Sequence, residues 1–210
     1  MPASAVSGFV KQHYGRASLL GKIITWLTDA YASWRITDDC QRMSPYLQNC
    51  RTILDIGTGS AMVYKVLRER GYDITGIDVA DLSVYPEIKP IIYNGSQIDF
   101  KDKSFDAAIL DRVLHHCGEN QEAVLRESLR AAKRVLIIED VYFNGLEKLM
   151  VAFNDSMCNW EWHKHYYRDT KGWKSLLESL GAKVIHQQTW REVPQWTVYI
   201  PHMLLVADSV

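Results

Sequence analysis

The 210-residue chain lacks several features that mark specialised classes of protein. It has only four cysteines and no C-x-x-C pair, which argues against a disulfide framework or a zinc site and indicates reduced, structural thiols. No apolar run approaches the ~20 residues of a membrane-spanning helix, and the N-terminus does not resemble a secretory signal. We therefore expect a cytoplasmic protein with no membrane segment and no bound metal.

An excess of charge of either sign is also missing. Lys and Arg together number 24 against 25 Asp and Glu, which gives a net charge of -1 at pH 7. Without a basic surplus the chain has no general attraction to phosphate backbones or anionic lipid, so nucleic acid is not an expected partner. The hydrophobic fraction of 47% is that of an ordinary globular protein, and one domain, 1–210, is the prediction for this length.

What the chain does have is an alternation of strand and helix patterns. The predicted strands are 52–56, 73–79, 88–93, 105–110 and 135–140, and the predicted helices are 61–70 and 119–132. Parallel neighbours require crossover connections, so this alternation predicts a doubly wound α/β fold. After a helix at 171–180, the runs 182–190 and 197–207 leave no room for a crossover and should pair antiparallel. The prediction is a mostly parallel, seven-stranded sheet with an antiparallel C-terminal pair.

A helical pattern precedes this core. Apolar residues recur at three- and four-residue steps through 18–34, at Leu20, Ile23, Ile24, Leu27, Tyr31 and Trp34. The favoured interpretation is that this stripe packs on the sheet. The alternative is that the N-terminal extension, residues 1–48, forms a lid over a ligand with Phe9, His13 and Tyr14. A second segment, 144–170, is predicted to be a substrate-cap insertion.

The first predicted strand ends in a glycine loop, residues 55–59, and in an open α/β sheet ligands bind at such carboxyl ends. Met62 stands where a dinucleotide fingerprint has its third glycine, which disfavours a nicotinamide-dependent oxidoreductase. At the end of the second strand, Asp78 can accept both hydroxyls of a ribose, and a carboxylate has little structural reason to be there. Asp55 has two interpretations: it fixes the glycine loop, or it contacts a cationic ligand.

These motifs resemble those of the class I S-adenosylmethionine-dependent methyltransferases, of the small-molecule, type 11-like group. Residues 53–59 are similar to the family's first motif and 76–78 to its second, while 100–116 and 173–184 resemble later stretches. The resemblance implies S-adenosylmethionine as cofactor. The positions it implies for cofactor binding are Asp55, Gly57, Thr58, Gly59, Asp78, Val79, Asn94, Gly95, Ser96, Leu110, Asp111 and Arg112. Two departures are Asn94, where the family often has Asp, and the missing Pro-Gly-Gly turn before the fifth strand.

Methyl transfer to oxygen or nitrogen needs a base that takes the acceptor's proton. The candidates for this base, or for a group that orients the acceptor, are His115, His116, Glu139 and His163. Asp140 and Tyr142 lie close to Glu139 in the chain. One of the two adjacent histidines is expected to point into the core, because neighbouring side chains diverge. The rings of 160–168 either bind a flat, apolar acceptor or cover the sheet.

Together these patterns predict methyl transfer from S-adenosylmethionine to a small-molecule acceptor on oxygen or nitrogen. The alternative is a module that binds the cofactor without catalysis and acts through a partner protein.

Overall fold

The computed structural model describes residues 19–159, 166–192 and 200–209, with side chains described for 30–153, 166–191 and 200–209. Its strands are β1 (Thr52–Ile56), β2 (Asp73–Asp78), β3 (Ile91–Ile92), β4 (Phe105–Asp111), β5 (Ala132–Asp140), β6 (Ala182–Glu192) and β7 (Ile200–Ser209). Its helices are α1 (Leu19–Leu47), α2 (Met62–Glu69), α3 (Gln121–Ala131), α4 (Gly145–Asn159) and α5 (Thr170–Ser179).

The strands form one sheet with the order β3-β2-β1-β4-β5-β7-β6. Strands β1 to β5 are parallel, and β7 lies antiparallel between β5 and β6. The chain moves outward from β1 through β2 to β3 and then returns to β4 on the other side of β1. The strand order therefore reverses between β1 and β4, which is where ligands bind in such sheets. The predicted doubly wound sheet with its antiparallel C-terminal pair is confirmed.

The two faces of the sheet carry separate hydrophobic cores, because successive side chains of a strand point to opposite faces. In β5, Val135 and Ile137 belong to the cluster that includes α3 and α5. Leu136 and Ile138 belong to the cluster that includes α1 and α2. Continued to the end of β5, the same alternation sends the side chains of the last two residues to opposite faces.

The third strand is shorter than predicted. Only Ile91 and Ile92 of the run 88–93 pair with β2. Pro90 has no N–H to donate to a ladder, and β3 is the edge of the sheet, so nothing extends the pairing on its far side.

Helix α1 is longer than predicted and buries a different set of residues. Trp34, expected on the packing stripe, is 54% exposed, so that expectation is wrong. Within residues 30–47 of α1, the buried residues are Ala32, Ile36, Asp39, Cys40, Met43 and Leu47. The earlier stripe residues lack described side chains, and Phe9, His13 and Tyr14 lie outside the described residues. Although α1 has 29 residues, neither it nor any other described helix is apolar enough to cross a membrane.

Helix α3 and strand β5 adjoin directly. The helix ends at Ala131 and the strand begins at Ala132, three residues before the predicted start at Val135. In the absence of the Pro-Gly-Gly turn, no residue separates the helix from the strand, and the strand is longer than predicted. The lid and cap functions of the segments containing α1 and α4 stay predictions.

Candidate functional site

The loop after β1 is shaped by two glycines with positive φ, Gly57 at 71° and Gly59 at 51°. The backbone N–H groups of Gly57 and Thr58 donate to the carbonyl oxygen of Ile77, at 2.8 and 3.2 Å, which ties the loop to the end of β2. A Cβ atom at Gly57 would lie 2.2 Å from Cγ2 of Val113. A glycine is therefore required for the turn after β4 to pack against this loop.

Asp78, the predicted ribose ligand, also holds the glycine loop. Its Oδ2 accepts a hydrogen bond from the N–H of Gly59 at 2.7 Å, and its Oδ1 accepts one from Val79 at 2.7 Å. The expectation that a carboxylate has little structural reason to be here is therefore wrong. Oδ1 accepts a second, longer hydrogen bond from the N–H of Ala80 at 3.3 Å, which leaves a lone pair on Oδ2 for a ribose hydroxyl, and this contact stays a prediction.

Asp55 is buried, and its Oδ2 accepts no hydrogen bond. Burial, together with the nearby charges of Asp111 and Asp78, raises the pKa of Asp55 to about 8. An unpaired buried oxygen is unfavourable, and a ligand that donates a hydrogen bond or carries positive charge would satisfy it. Because the loop amides are bound by Ile77 and Asp78, the geometry favours the cationic-ligand interpretation of Asp55.

The predicted adenine turn lies beside Val79, since a Cβ atom at Gly95 would be 3.1 Å from Cγ1 of Val79. Gly95 has a φ of 79°. The side-chain oxygen of Asn94 accepts hydrogen bonds from Ser96 N at 3.0 Å, Ser96 Oγ at 3.1 Å and Gln97 N at 2.8 Å. An adenine amine at Asn94 would compete with these three bonds, so the contact stays a prediction.

The residues at the end of β4 divide into one core residue and two charged ones. Leu110 is fully buried in the hydrophobic core, so its side chain does not line the site. The guanidinium of Arg112 donates to Asp111 at 2.7 Å and to Asp39 of α1 at 2.5 Å. Burial raises the pKa of Asp111 to about 6, although the charge of Arg112 opposes this shift. Sequence reasoning missed Asp39 because it lies far from every motif in the chain.

The turn after β4 brings two of the predicted catalytic residues together. Nδ1 of His115 lies 2.6 Å from Oε2 of Glu139, and Oε1 of Glu139 accepts a hydrogen bond from the N–H of Leu114 at 2.7 Å. Glu139 and His115 are buried, whereas His116 is exposed. The burial agrees with the expectation that one of the two histidines points into the core, but their rings do not diverge, since the centroids lie 4.1 Å apart. His163 lies outside the described residues.

Hydrogen bonds and a ring contact that the sequence did not predict join this turn to the end of the 144–170 segment. The side-chain amide of Gln121 donates to the carbonyl oxygens of Leu114 at 3.0 Å and Tyr166 at 2.6 Å. The N–H of Tyr166 donates to the carbonyl oxygen of His115 at 3.1 Å, and the ring of Tyr167 stacks on the His115 ring with centroids 5.3 Å apart. No local pattern around Gln121 could have revealed this, because Tyr166 lies 45 residues further along the chain.

A second carboxylate–imidazole pair lies on the opposite face of β5. Nδ1 of His202 is 2.7 Å from Oδ1 of Asp140. The antiparallel register of β5 with β7 places the two residues directly opposite each other, a pairing that the sequence analysis did not predict. Within the described part of the chain, no three His, Cys, Asp or Glu side chains are grouped so that they could hold a metal ion.

Residues 54–137, from β1 into β5, match the family model described as a methyltransferase domain. No curated protein sequence matches the chain. The match extends from the glycine loop through the turn of His115 almost to Glu139, so it includes most of the predicted site.

Solved structures with a similar fold have low sequence identity. A SAM-dependent methyltransferase from Methanosarcina mazei is 20% identical, over 80% of this chain and 96% of that one, with a TM-score of 0.65. The magnesium protoporphyrin IX methyltransferase of Synechocystis, with bound SAH, is 16% identical over 97% and 95%, with a TM-score of 0.62. A Haloferax volcanii structure, the complex of the Trm112 methyltransferase activator and the putative methyltransferase, is 15% identical over 89% and 96%, also with a TM-score of 0.62. At these identities the likeness shows the fold, and the family match covers residues 54–137.

Proposed function

We infer that this chain, whose residues 54–137 match the methyltransferase domain model, is an S-adenosylmethionine-dependent methyltransferase, and we propose that its acceptor is a small molecule methylated on oxygen or nitrogen. The family match supports the reaction and the cofactor. The observation that supports an oxygen or nitrogen acceptor is the buried His115–Glu139 pair at the carboxyl edge of the sheet.

The residues present fit this cofactor. The unpaired, buried oxygen of Asp55 suits the ammonium group of the methionine part, and the glycine loop exposes backbone beside it. Asp78 suits the ribose, and Val79 with the turn of Gly95 suits the adenine side. Bound there, S-adenosylmethionine supplies a methyl group that its sulfonium makes electrophilic.

His115 has the chemistry of a general base. With the Glu139 carboxylate on Nδ1, the neutral ring carries its proton on that nitrogen, so Nε2 is the nitrogen that accepts a proton. A hydroxyl or amine loses a proton as it is methylated, and a base in reach accelerates such a step by roughly 10²–10⁴-fold. Glu139 also binds the N–H of Leu114, which fixes the ring relative to the backbone.

A small acceptor with an apolar body is supported by helix α4, which lies within the predicted cap. Leu146, Leu149 and Phe153 recur at helical spacing and are 69%, 67% and 57% exposed. This helix begins shortly after the end of β5 and contacts β7 beside the carboxyl edge. An apolar acceptor that covered this stripe would remove it from water. The near-neutral charge of the chain supports a small molecule over nucleic acid.

The alternative, a module that needs a partner protein, has one observation in its favour. The similar Haloferax volcanii chain was solved in complex with a methyltransferase activator. By analogy, this chain would hold the cofactor but show turnover only with a partner.

The experiment that tests the proposal measures binding and turnover separately. Melting with S-adenosylhomocysteine at about 100 times its dissociation constant should add about 2.7 kcal/mol of stability. Formation of S-adenosylhomocysteine from S-adenosylmethionine is then followed with a panel of small phenols, amines and carboxylic acids. We expect turnover with at least one of them and its loss in His115→Ala. Binding without turnover across the panel would favour the partner-dependent module, and no binding would refute the enzyme.

A further inference from the structure

The turn that follows β4, residues 112–116, connects the cofactor loop to the base. Val113 packs against Gly57, and Leu114 and His115 both bind Glu139. The position of this turn therefore sets the position of the base relative to the cofactor loop.

The first residue of the turn needs external support. Arg112 has a φ of 54°, a left-handed backbone conformation that is uncommon for residues other than glycine. Its N–H donates to the carbonyl oxygen of Ile138 at 2.7 Å, which continues the pairing of β4 with β5. Its guanidinium is buried and has carboxylates around it, and these contacts hold the side chain in place.

The carboxylates come from three elements of the fold. Asp111 is the last residue of β4, and Asp140, the last residue of β5, lies 3.4 Å from Nε of Arg112. The third is Asp39 of α1, whose side chain is 0% exposed. Both of its oxygens face the guanidinium, at 2.5 and 3.5 Å. Asp39 is the part of this network that belongs to the N-terminal extension rather than to the sheet.

We propose that Asp39 is a positioning residue of the methyltransferase: through Arg112 it holds the turn 112–116, and so sets the place of Val113 on the glycine loop and of His115 on Glu139. Helix α1 then takes part in building the catalytic site as well as covering one face of the sheet. The kinetic consequence rests on the proposed function, whereas the effect on the geometry of His115 does not.

The reason is electrostatic. Removal of the Asp39 charge leaves the guanidinium with Asp111 and Asp140, so Arg112 shifts toward the edge of the sheet and away from α1. A displacement of about 1 Å at a catalytic group can lower a rate by roughly 10²-fold. A buried carboxylate that only stabilised α1 would have no such effect on His115.

The test uses the full chain labelled with ¹⁵N at histidine, and compares Asp39→Asn with Asp38→Asn. Asp38 is the adjacent residue of α1 and forms an ion pair with Arg42 at 2.7 Å, so it is a matched control. In Asp39→Asn we expect the His115 imidazole resonances to move and the affinity for S-adenosylhomocysteine to fall about tenfold. In Asp38→Asn both should stay as in the parent chain, and Asp39→Glu should restore part of the affinity.

His186 serves as an internal reference. Its ring lies against the ring of Tyr46 of α1, tilted by 31° with centroids 4.7 Å apart, so a general loosening of α1 would move its resonances. A shift of the His115 resonances without a shift of the His186 resonances supports a positioning role. Movement of both to the same extent, or of neither, would overturn it. If Asp39→Asn does not fold, Asp39→Glu is compared with the parent chain instead: it keeps the charge but displaces the carboxylate by one methylene group, so the His115 resonances should move by a smaller amount while those of His186 stay in place.

Kinetics separate this inference from the proposed function. With an acceptor in hand, Asp39→Asn should lower kcat by about 10- to 100-fold with a smaller change in the KM of the acceptor. Absence of turnover in the parent chain would refute the proposed function and leave the histidine spectra as the test of Asp39. Unchanged spectra with normal turnover in Asp39→Asn would refute the positioning role and leave the function standing.

Discussion

Glu139 and Asp140 are neighbours at the end of β5, and each holds a histidine, yet their surroundings differ. Glu139 binds His115 at 2.6 Å and the backbone of Leu114 at 2.7 Å. Asp140 binds His202 at 2.7 Å and lies 3.4 Å from the Arg112 guanidinium. The two pairs lie on opposite faces of the sheet because neighbouring strand residues alternate.

The guanidinium makes the difference between the two pairs. Burial alone would raise the pKa of Asp140, but the charges of His202 and Arg112 hold it far below its ordinary value. Asp140 is therefore ionised at any physiological pH and acts as a fixed charge. The described ion pairs of Arg112 do not include Glu139, which is left with an imidazole and a backbone amide. A carboxylate and a histidine thus form the proposed base on one face of the sheet and part of a charged cluster on the other.

The largest expected effect concerns turnover. His115→Gln should lower kcat by roughly 10²–10⁴-fold, because the proton of the acceptor loses its base. His202→Gln should change kcat by less than about tenfold, since His202 acts on a structural charge. Both are measured as release of S-adenosylhomocysteine with an acceptor from the panel. Equal losses in the two variants would break the distinction between the pairs.

The next effect concerns stability. Asp140→Asn should lower the free energy of unfolding by about 3 kcal/mol, because it removes one of the three carboxylates around the buried guanidinium of Arg112 and the charged partner of His202. Glu139→Gln should lower it by about 1.5 kcal/mol, the low end of the range for a lost hydrogen bond to a charged group. Urea unfolding at pH 7 measures both. The charge of Asp140 contributes to the free energy of unfolding above the unfolded pKa of about 4, and this contribution is lost as pH falls below that value. The difference in unfolding free energy between Asp140→Asn and the parent should therefore disappear in acid.

A smaller effect is expected at Asp55, the buried carboxylate with no partner on Oδ2. Since its pKa is raised to about 8, the free protein holds a proton there at neutral pH. A cationic ligand needs the ionised form, so affinity for S-adenosylhomocysteine should rise with pH, approaching tenfold per pH unit below about pH 8. Titration calorimetry from pH 6 to 8.5 measures this, and Asp55→Asn should remove most of the dependence.

Stability should show the opposite trend for the same residue. A raised folded pKa means that the folded chain binds more protons than the unfolded chain between about pH 4 and pH 8. The ligand-free parent should therefore lose stability relative to Asp55→Asn as pH rises through this window. A parent that gained stability relative to the variant would show that Asp55 is ionised and satisfied in the free protein.

The smallest effect is expected on the exposed side of α1. Trp34→Ala should change the free energy of unfolding by no more than about 0.5 kcal/mol, because the side chain is 54% exposed. Met43→Ala, on the buried side, should lower it by about 3 kcal/mol. Thermal melting of the two variants shows whether the stabilising contacts of α1 with the sheet come from the buried face, which also carries Asp39.

Predictions from the sequence were most accurate where the signal is local. The glycine loop, the position of Asp78 and the antiparallel last strands each depend on a short run of residues, and the structure contains them where expected. Two local errors have local causes: Pro90 limited β3, and the absent turn before β5 let the strand begin at Ala132. The stripe that ended at Trp34 failed because helical spacing does not say which of several faces a long helix buries.

By itself, the sequence determined the fold, the glycine loop and the family resemblance, because strand period, helix period and turn chemistry act over a few residues. Only the tertiary structure decided that His115 pairs with Glu139 and that Asp39 and His202 join the charged cluster on the other face. These partners are 24 to 73 residues apart. Their contacts follow from strand order, register and helix packing, which place distant residues at one edge of the sheet and leave no trace in local patterns.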